Sequence, residues 1–288
     1  MKNILYKKYI GVILLLSAVV IGGCTERELS ERPKDGVLKI NLEWPDGHSV
    51  EGASLWLYGS DGSRYSNIEC MAEGHECRVP ADSYTILVTN SDCSNAGCHD
   101  SETSQACCMK AERMPDGDLL KHVGKVFCTG ADEVMVKRGN QATEITLYPE
   151  NTVKKIHFRI DPNYIEDIAD MDVRMVGVVP SVKVMDGSDA GEATGEVSAK
   201  AKSETGGLYS ADMSVFGWRG ENIVTVTVIH TDGSTEITIP QDISEQLAQL
   251  PKEGGTVNIT LFLPDGGEIA LTVTVKAWES GTGSGTVM

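Results

Sequence analysis

Residues 37–44 alternate in character: Leu38, Ile40, Leu42 and Trp44 are apolar, while Lys39, Asn41 and Glu43 are polar. A two-residue period puts successive side chains on opposite faces of an extended chain, so the segment predicts a strand with one face on a core. Pro45-Asp46-Gly47 ends it, and residues 53–58 resume extended structure before the turn residues 59–62. Further strands are predicted at 84–89, 133–137, 144–148 and 154–160, the last with Ile156, Phe158 and Ile160 on one face. Two hairpins follow, 223–229 with 236–239 and 257–263 with 269–277. Each turns at an Asp-Gly pair that accepts the positive φ of a tight turn. Helical periodicity is confined to 164–171 and 241–250. Short strands, Gly-rich turns and little helix predict an all-β chain of two tandem antiparallel β-sandwiches, 37–150 and 151–279. Residues 186–207, rich in Gly, Ala, Ser and Glu, predict a long exposed loop, and 280–288 a flexible tail.

Charge narrows the partners. The 288 residues carry 25 Lys plus Arg against 42 Asp plus Glu, a net charge of −17. Such a polyanion repels nucleic-acid phosphates and anionic lipid headgroups. Three of the basic residues, Lys2, Lys7 and Lys8, precede an apolar run over 10–21 that is too short to span a membrane comfortably. With Ile21-Gly22-Gly23-Cys24 closing the run, residues 1–23 read as a lipoprotein signal peptide, and the Cys24 thiol as the acceptor of the lipid. Residues 24–36 read as a polar stalk. Glu26, Glu28 and Glu31 close behind Cys24 resemble the surface-export signals of Bacteroidota lipoproteins, which implies a lipid-anchored protein of the outer membrane facing the cell surface.

Seven further cysteines, Cys70, Cys77, Cys93, Cys98, Cys107, Cys108 and Cys128, fall within one excursion of the first domain. In an exported chain this clustering predicts disulfides that staple a segment poor in aliphatic residues. An odd number leaves one thiol over and the pairing open, with adjacent Cys107 and Cys108 expected to take different partners because a bridge between neighbours strains the backbone. The alternative, a zinc site of Cys93-x4-Cys98-His99 with Cys107 or Cys108, lacks the paired Cys-x-x-Cys units that mark such sites, so no metal is expected. Nor is catalysis: there is no Gly-x-Ser-x-Gly elbow, His75-Glu76 lacks its second histidine, and Val197 stands where a calcium loop starting at Asp186 needs a glutamate. Trp56, Trp218 and Trp278 are candidate aromatic platforms for a sugar. Trp56 and Trp278 lie opposite their strands' aliphatic faces.

Several segments resemble the fimbrillin-like surface lipoproteins of Bacteroidota, especially the fimbrial-anchor type. They are Cys24-x-Glu-Arg-Glu-Leu29, the strand 37–44, Ala53-Ser-Leu-Trp-Leu-Tyr58-x-x-Asp61-Gly62 and Val79-Pro80-x-x-x-Tyr84-Thr-Ile-Leu-Val88-Thr-Asn90. In the second half, Met175-Val-Gly-Val-Val-Pro-Ser-Val182 and Leu271-Thr-Val-Thr-Val-Lys-Ala-Trp278 are similar to that family's second domain. The resemblance implies two transthyretin-like sandwiches in a protein that anchors or decorates a pilus and contacts fimbrial subunits by β-strand addition. In polymerising members a protease cuts after an arginine behind the first strand, and that strand leaves. Here residues 45–52 contain no Arg or Lys, so strand 37–44 is expected to stay and the lipid to remain attached. The alternative is a surface lipoprotein that binds a glycan or host protein, with Trp56, Trp278 or the cysteine-rich loops holding the ligand. No cofactor is expected beyond the lipid on Cys24.

Overall fold

The computed structural model describes residues 34–115, 117–264 and 267–277. The signal peptide, Cys24, most of the stalk, Trp278 and the tail lie outside these residues. The first sandwich begins with β1 (Asp35–Leu42), β2 (Gly52–Tyr58), β3 (Arg64–Met71), β4 (Gly74–Pro80) and β5 (Ser83–Asn90). Two short strands, β6 (Ala96–His99) and β7 (Cys108–Ala111), leave it, and β8 (Phe127–Met135), β9 (Ala142–Leu147) and β10 (Glu150–Asn151) return. The hydrogen-bonded path runs β10-β8-β5-β2-β3-β4-β1-β9. β3 and β4 pair only at Met71 and Gly74, so the path bends there and folds β4-β1-β9 over β2-β5-β8.

Alternation explains the core. Leu38, Ile40 and Leu42 from β1 meet Leu55 and Leu57 from β2 and Ile86 and Val88 from β5, all buried. β1 is a middle strand, antiparallel to β4 and parallel to β9.

The second sandwich repeats this plan. It comprises β11 (Lys154–Asp161), β12 (Ile168–Val178), β13 (Ser181–Lys183), β14 (Gly195–Lys200), β15 (Lys202–Ser203), β16 (Tyr209–Val215), β17 (Ile223–His230), β18 (Thr235–Ile237) and β19 (Gln241–Asp242). The one-turn helix α1 (Ser244–Leu247) precedes β20 (Gly254–Phe262) and β21 (Ala270–Ala277). One sheet runs β15-β16-β11-β20-β21, the other β14-β12-β17-β18. β11 sits between antiparallel β16 and parallel β20, as β1 sits between β4 and β9. Ile156, Phe158 and Ile160 pack here against Val173, Met175, Val224 and Val226.

Three local expectations are corrected. Residues 164–171 form no helix, because β12 starts at Ile168 and buries Met171, Val173 and Met175 at a two-residue period. The helix expected over 241–250 shrinks to four residues. Part of the loop expected over 186–207 is strand: Val197 and Ala199 alternate into the core as β14 pairs with β12. The cysteine-rich excursion is also shorter than its cysteines suggest, since Cys70 and Cys77 lie in β3 and β4 of the sandwich itself. Among the described residues, no helix is long and apolar enough to cross a membrane.

Candidate functional site

On β2 and β5, the side chains that point away from the first core are Trp56, Tyr58 and Leu87, which would leave a large apolar face on water. They are covered instead. Residues 91–126, leaving between β5 and β8, lay Cys107, Met109, Val123 and Val126 over this face, and the second sandwich adds Val153, Val179, Val182, Val184 and Phe216. The result is a third hydrophobic core that belongs to both sandwiches.

Backbone pairing fixes this junction. β6 and β7 form a hairpin, and β7 pairs antiparallel with β13 of the second sandwich, giving a three-stranded sheet to which both domains contribute. The Ala111 N–H donates to Pro180 O at 2.9 Å and the Val184 N–H to Cys107 O at 3.1 Å. Further along, the Leu120 N–H donates to Glu196 O and the Val123 N–H to Ser214 O. The hairpin loop is held on the other side, by the first sandwich. Tyr58 Oη donates to Ser101 O at 3.0 Å, and Arg64 Nη1 donates to Ser101 Oγ at 2.7 Å. The excursion is therefore a strap between the domains.

This overturns one expectation. Trp56 is 5% exposed and sits in the shared core, so it offers no open ring face to a sugar. Strand alternation places Trp56 on the correct face but gives no sign of the layer that covers it. Trp278 lies outside the described residues. Trp218 is half-buried and lines a cavity of about 580 Å³ between the domains, with Lys154, Phe216, Val179 and Arg219. Lys154 Nζ stands 4.7 Å from the Trp218 ring centroid, a cation–π contact, and burial together with Lys252 pulls the Lys154 pKa down.

The seven cysteines divide by location. Cys70 and Cys77 flank the first core, while Cys93, Cys98, Cys107 and Cys128 line the shared core. Cys98 Sγ lies 3.4 Å from Cys107 Sγ, a contact and not a bond. Strand alternation sends Cys98, Cys107 and Met109 toward the shared core and turns Cys108 the other way, toward the His99 carbonyl and the Asp100 carboxylate. Burial pushes the Cys93 thiol up to about 12 and Cys108 to about 11, and it raises Cys70, Cys77 and Cys128 as well. Held neutral in this way, these thiols are slow nucleophiles in the folded chain. Cys107 is the exception: the hydrogen bond from Cys98 lowers it. Among the described residues, the metal-type ligands that converge are Asp100, Cys108 and Glu192. Lys110 Nζ already fills that place, 3.0 Å from Asp100 and 2.6 Å from Glu192.

The first strand is the other feature of consequence. Between β4 and β9, β1 buries Val37, Leu38, Ile40 and Leu42, and its polar face carries the exposed Lys39–Glu144 pair at 2.6 Å. Gly74 allows the closest approach, since a Cβ there would fall 2.0 Å from Ile40 O. On its far side β9 has no strand partner among the described residues, whereas the corresponding β20 is covered by β21.

Two tandem sandwiches, each with its first strand held between a parallel and an antiparallel neighbour, define a class of two-domain all-β proteins. Solved structures share the fold over nearly the whole chain. A candidate adhesin from Bacteroides ovatus matches with a TM-score of 0.66 at 16% identity, covering 90% of this chain and 99% of that one. Candidate polysaccharide-binding proteins from Bacteroides thetaiotaomicron match at 0.61 with 11% identity, over 85% and 99% of the two chains. The fimbrial anchor protein Mfa2 from Porphyromonas gingivalis matches at 0.60 with 11% identity, over 84% and 98%. No curated protein sequence matches. The profile of the fimbrillin-A associated anchor proteins Mfa1 and Mfa2 matches residues 46–281, and the chain belongs to that family. It is a fimbrial anchor or accessory protein of the cell surface.

Proposed function

We propose that this protein is held in the outer membrane by a lipid on Cys24, keeps its first strand, and receives a fimbrial subunit by strand addition along the open edge of β9. The observation that carries this reading is the seating of β1. Its core side chains are buried, both of its edges are paired, and residues 45–52 offer no Arg or Lys for a cut behind it. A subunit that keeps this strand has no vacated groove to fill, so a partner must use an edge. The outer edge of β9 is the place that β21 occupies in the second sandwich, and unpaired strand edges template further pairing. A photo-crosslinking residue at position 144, exposed on β9, is expected to capture a fimbrial subunit in the native membrane. Capture from a position on β21 and not from 144 would contradict the docking edge.

A second reading, a glycan-binding surface lipoprotein, draws on the cavity beside Trp218. Its size falls in the range of ligand sites. Loss of glycan binding in Trp218→Ala, with pilus association intact, would favour it.

A further inference from the structure

We propose that in the exported protein Cys98 and Cys107 form a disulfide that locks the strap between the two sandwiches. Their sulfurs stand 3.4 Å apart. The surroundings favour this pair over the other thiols. Cys98 is partly buried in β6, and Cys107, fully buried, precedes β7; the two are joined by the hairpin loop alone. In the β6–β7 register Cys98 opposes Met109 and His99 opposes Cys108. Cys108 therefore points away from Cys98, which assigns different surroundings to the two adjacent cysteines. Forming the bond requires the sulfurs to close from 3.4 Å to about 2.0 Å.

The bond has a mechanical place. The hairpin loop is tied to the first sandwich through Ser101, while the Cys107 carbonyl accepts from the Val184 N–H of the second. A bridge at the base of this loop makes a covalent closure between the point held by one domain and the point held by the other. The loop itself has almost no aliphatic side chain to order it by burial, which is where a covalent staple is needed.

The chemistry balances with a disulfide oxidant, the class that oxidises exported thiols. The Cys98 thiolate attacks a sulfur of the oxidant's disulfide, forming a mixed disulfide and releasing one thiol. The Cys107 thiolate, 3.4 Å away, then attacks Cys98 Sγ and releases the second. Two protein thiols become one disulfide, and the oxidant leaves as a dithiol carrying both electrons and both protons. Cys98 is the first nucleophile because it is partly exposed, whereas Cys107 is fully buried and out of an oxidant's reach.

The inference rests on export, and the test separates the two. Full-length protein from the native membrane is alkylated without reduction and mapped by mass spectrometry. Trypsin leaves Cys93, Cys98, Cys107 and Cys108 in one peptide, so cleavage after Glu102 is added to split the pair. A Cys98–Cys107 crosslinked peptide is the expected result. Alkylated Cys98 and Cys107 in a chain whose Cys24 is acylated, or either residue bonded elsewhere, would overturn the proposal. If Cys24 carries no lipid and the signal is intact, export has failed instead. Protein folded in an oxidised-glutathione buffer then decides: the Cys98–Cys107 bond supports the pairing, and another bond or none overturns it. Faster proteolysis within 99–106 after reduction, absent in the Cys98→Ser, Cys107→Ser double variant, is the expected functional signature.

Discussion

Met109 and Val182 are cross-strand partners, the first in β7 of the excursion and the second in β13 of the other sandwich. Both are buried in the core that the two domains share. The sandwiches therefore cannot part without breaking a sheet and exposing an apolar face, which couples the two domains mechanically.

Val182→Asp tests this coupling. A buried carboxylate with no partner in the shared core is expected to cost about 3 kcal/mol or more. The wild type should unfold in denaturant as one transition and the variant as two, followed by tryptophan fluorescence, because the junction fails before either sandwich. A single, merely shifted transition would mean that the domains do not depend on this sheet for coupling.

Gly74→Ala probes the seat of the first strand. Gly74 has φ +123°, and a Cβ would lie 2.0 Å from the Ile40 carbonyl oxygen, two residues before the end of β1. Backbone against backbone cannot yield cheaply, so the variant should lose about 2 kcal/mol or more and show faster amide exchange in β1 than in β11. Gly47 also has a positive φ but open space around it, and Gly47→Ala should leave exchange in β1 unchanged.

Alkaline stability follows from the buried acids. Burial raises Cys93 to about 12, Cys108 to about 11 and Tyr84 to about 12, above their ordinary values. The folded chain thus keeps protons that the unfolded chain gives up from about pH 9 for the thiols. Their contribution is fully present below that pH and is lost as pH climbs through about 11 to 12. The melting temperature of reduced protein should fall across this window, and the Cys93→Ala, Cys108→Ala double variant should show a shallower fall.

Strands with clean alternation are legible in the amino-acid sequence, among them most of 37–44, which ends as strand at Leu42, and 154–160 and 257–263, because a half-buried strand needs little else to declare itself. The strand β14 is hidden because Val197 and Ala199 sit among Gly, Ser and Glu, and small buried residues carry a weak hydrophobic signal. The start of β12 reads as helical because Ile165, Ile168 and Met171 fall at a spacing that suits a helix, while pairing with β17 decides the outcome. The strap is the least visible element. Its cysteines predict an ordered excursion, but its partner β13 lies about seventy residues later, and nothing local to either segment encodes that meeting. Trp56 fails as a ligand platform for the same reason.

The central claim is that this chain is a lipid-anchored fimbrial subunit that keeps its first strand. It is tested most directly by crosslinking and affinity purification of the full-length protein from its native outer membrane, with mass spectrometry of its partners and of its mature N-terminus. The account predicts a chain that begins at acylated Cys24, retains residues 35–42 and brings down fimbrial subunits. A mature chain that starts beyond Trp44, or one that is acylated but purifies with glycan-uptake components and no pilus subunit, would contradict it.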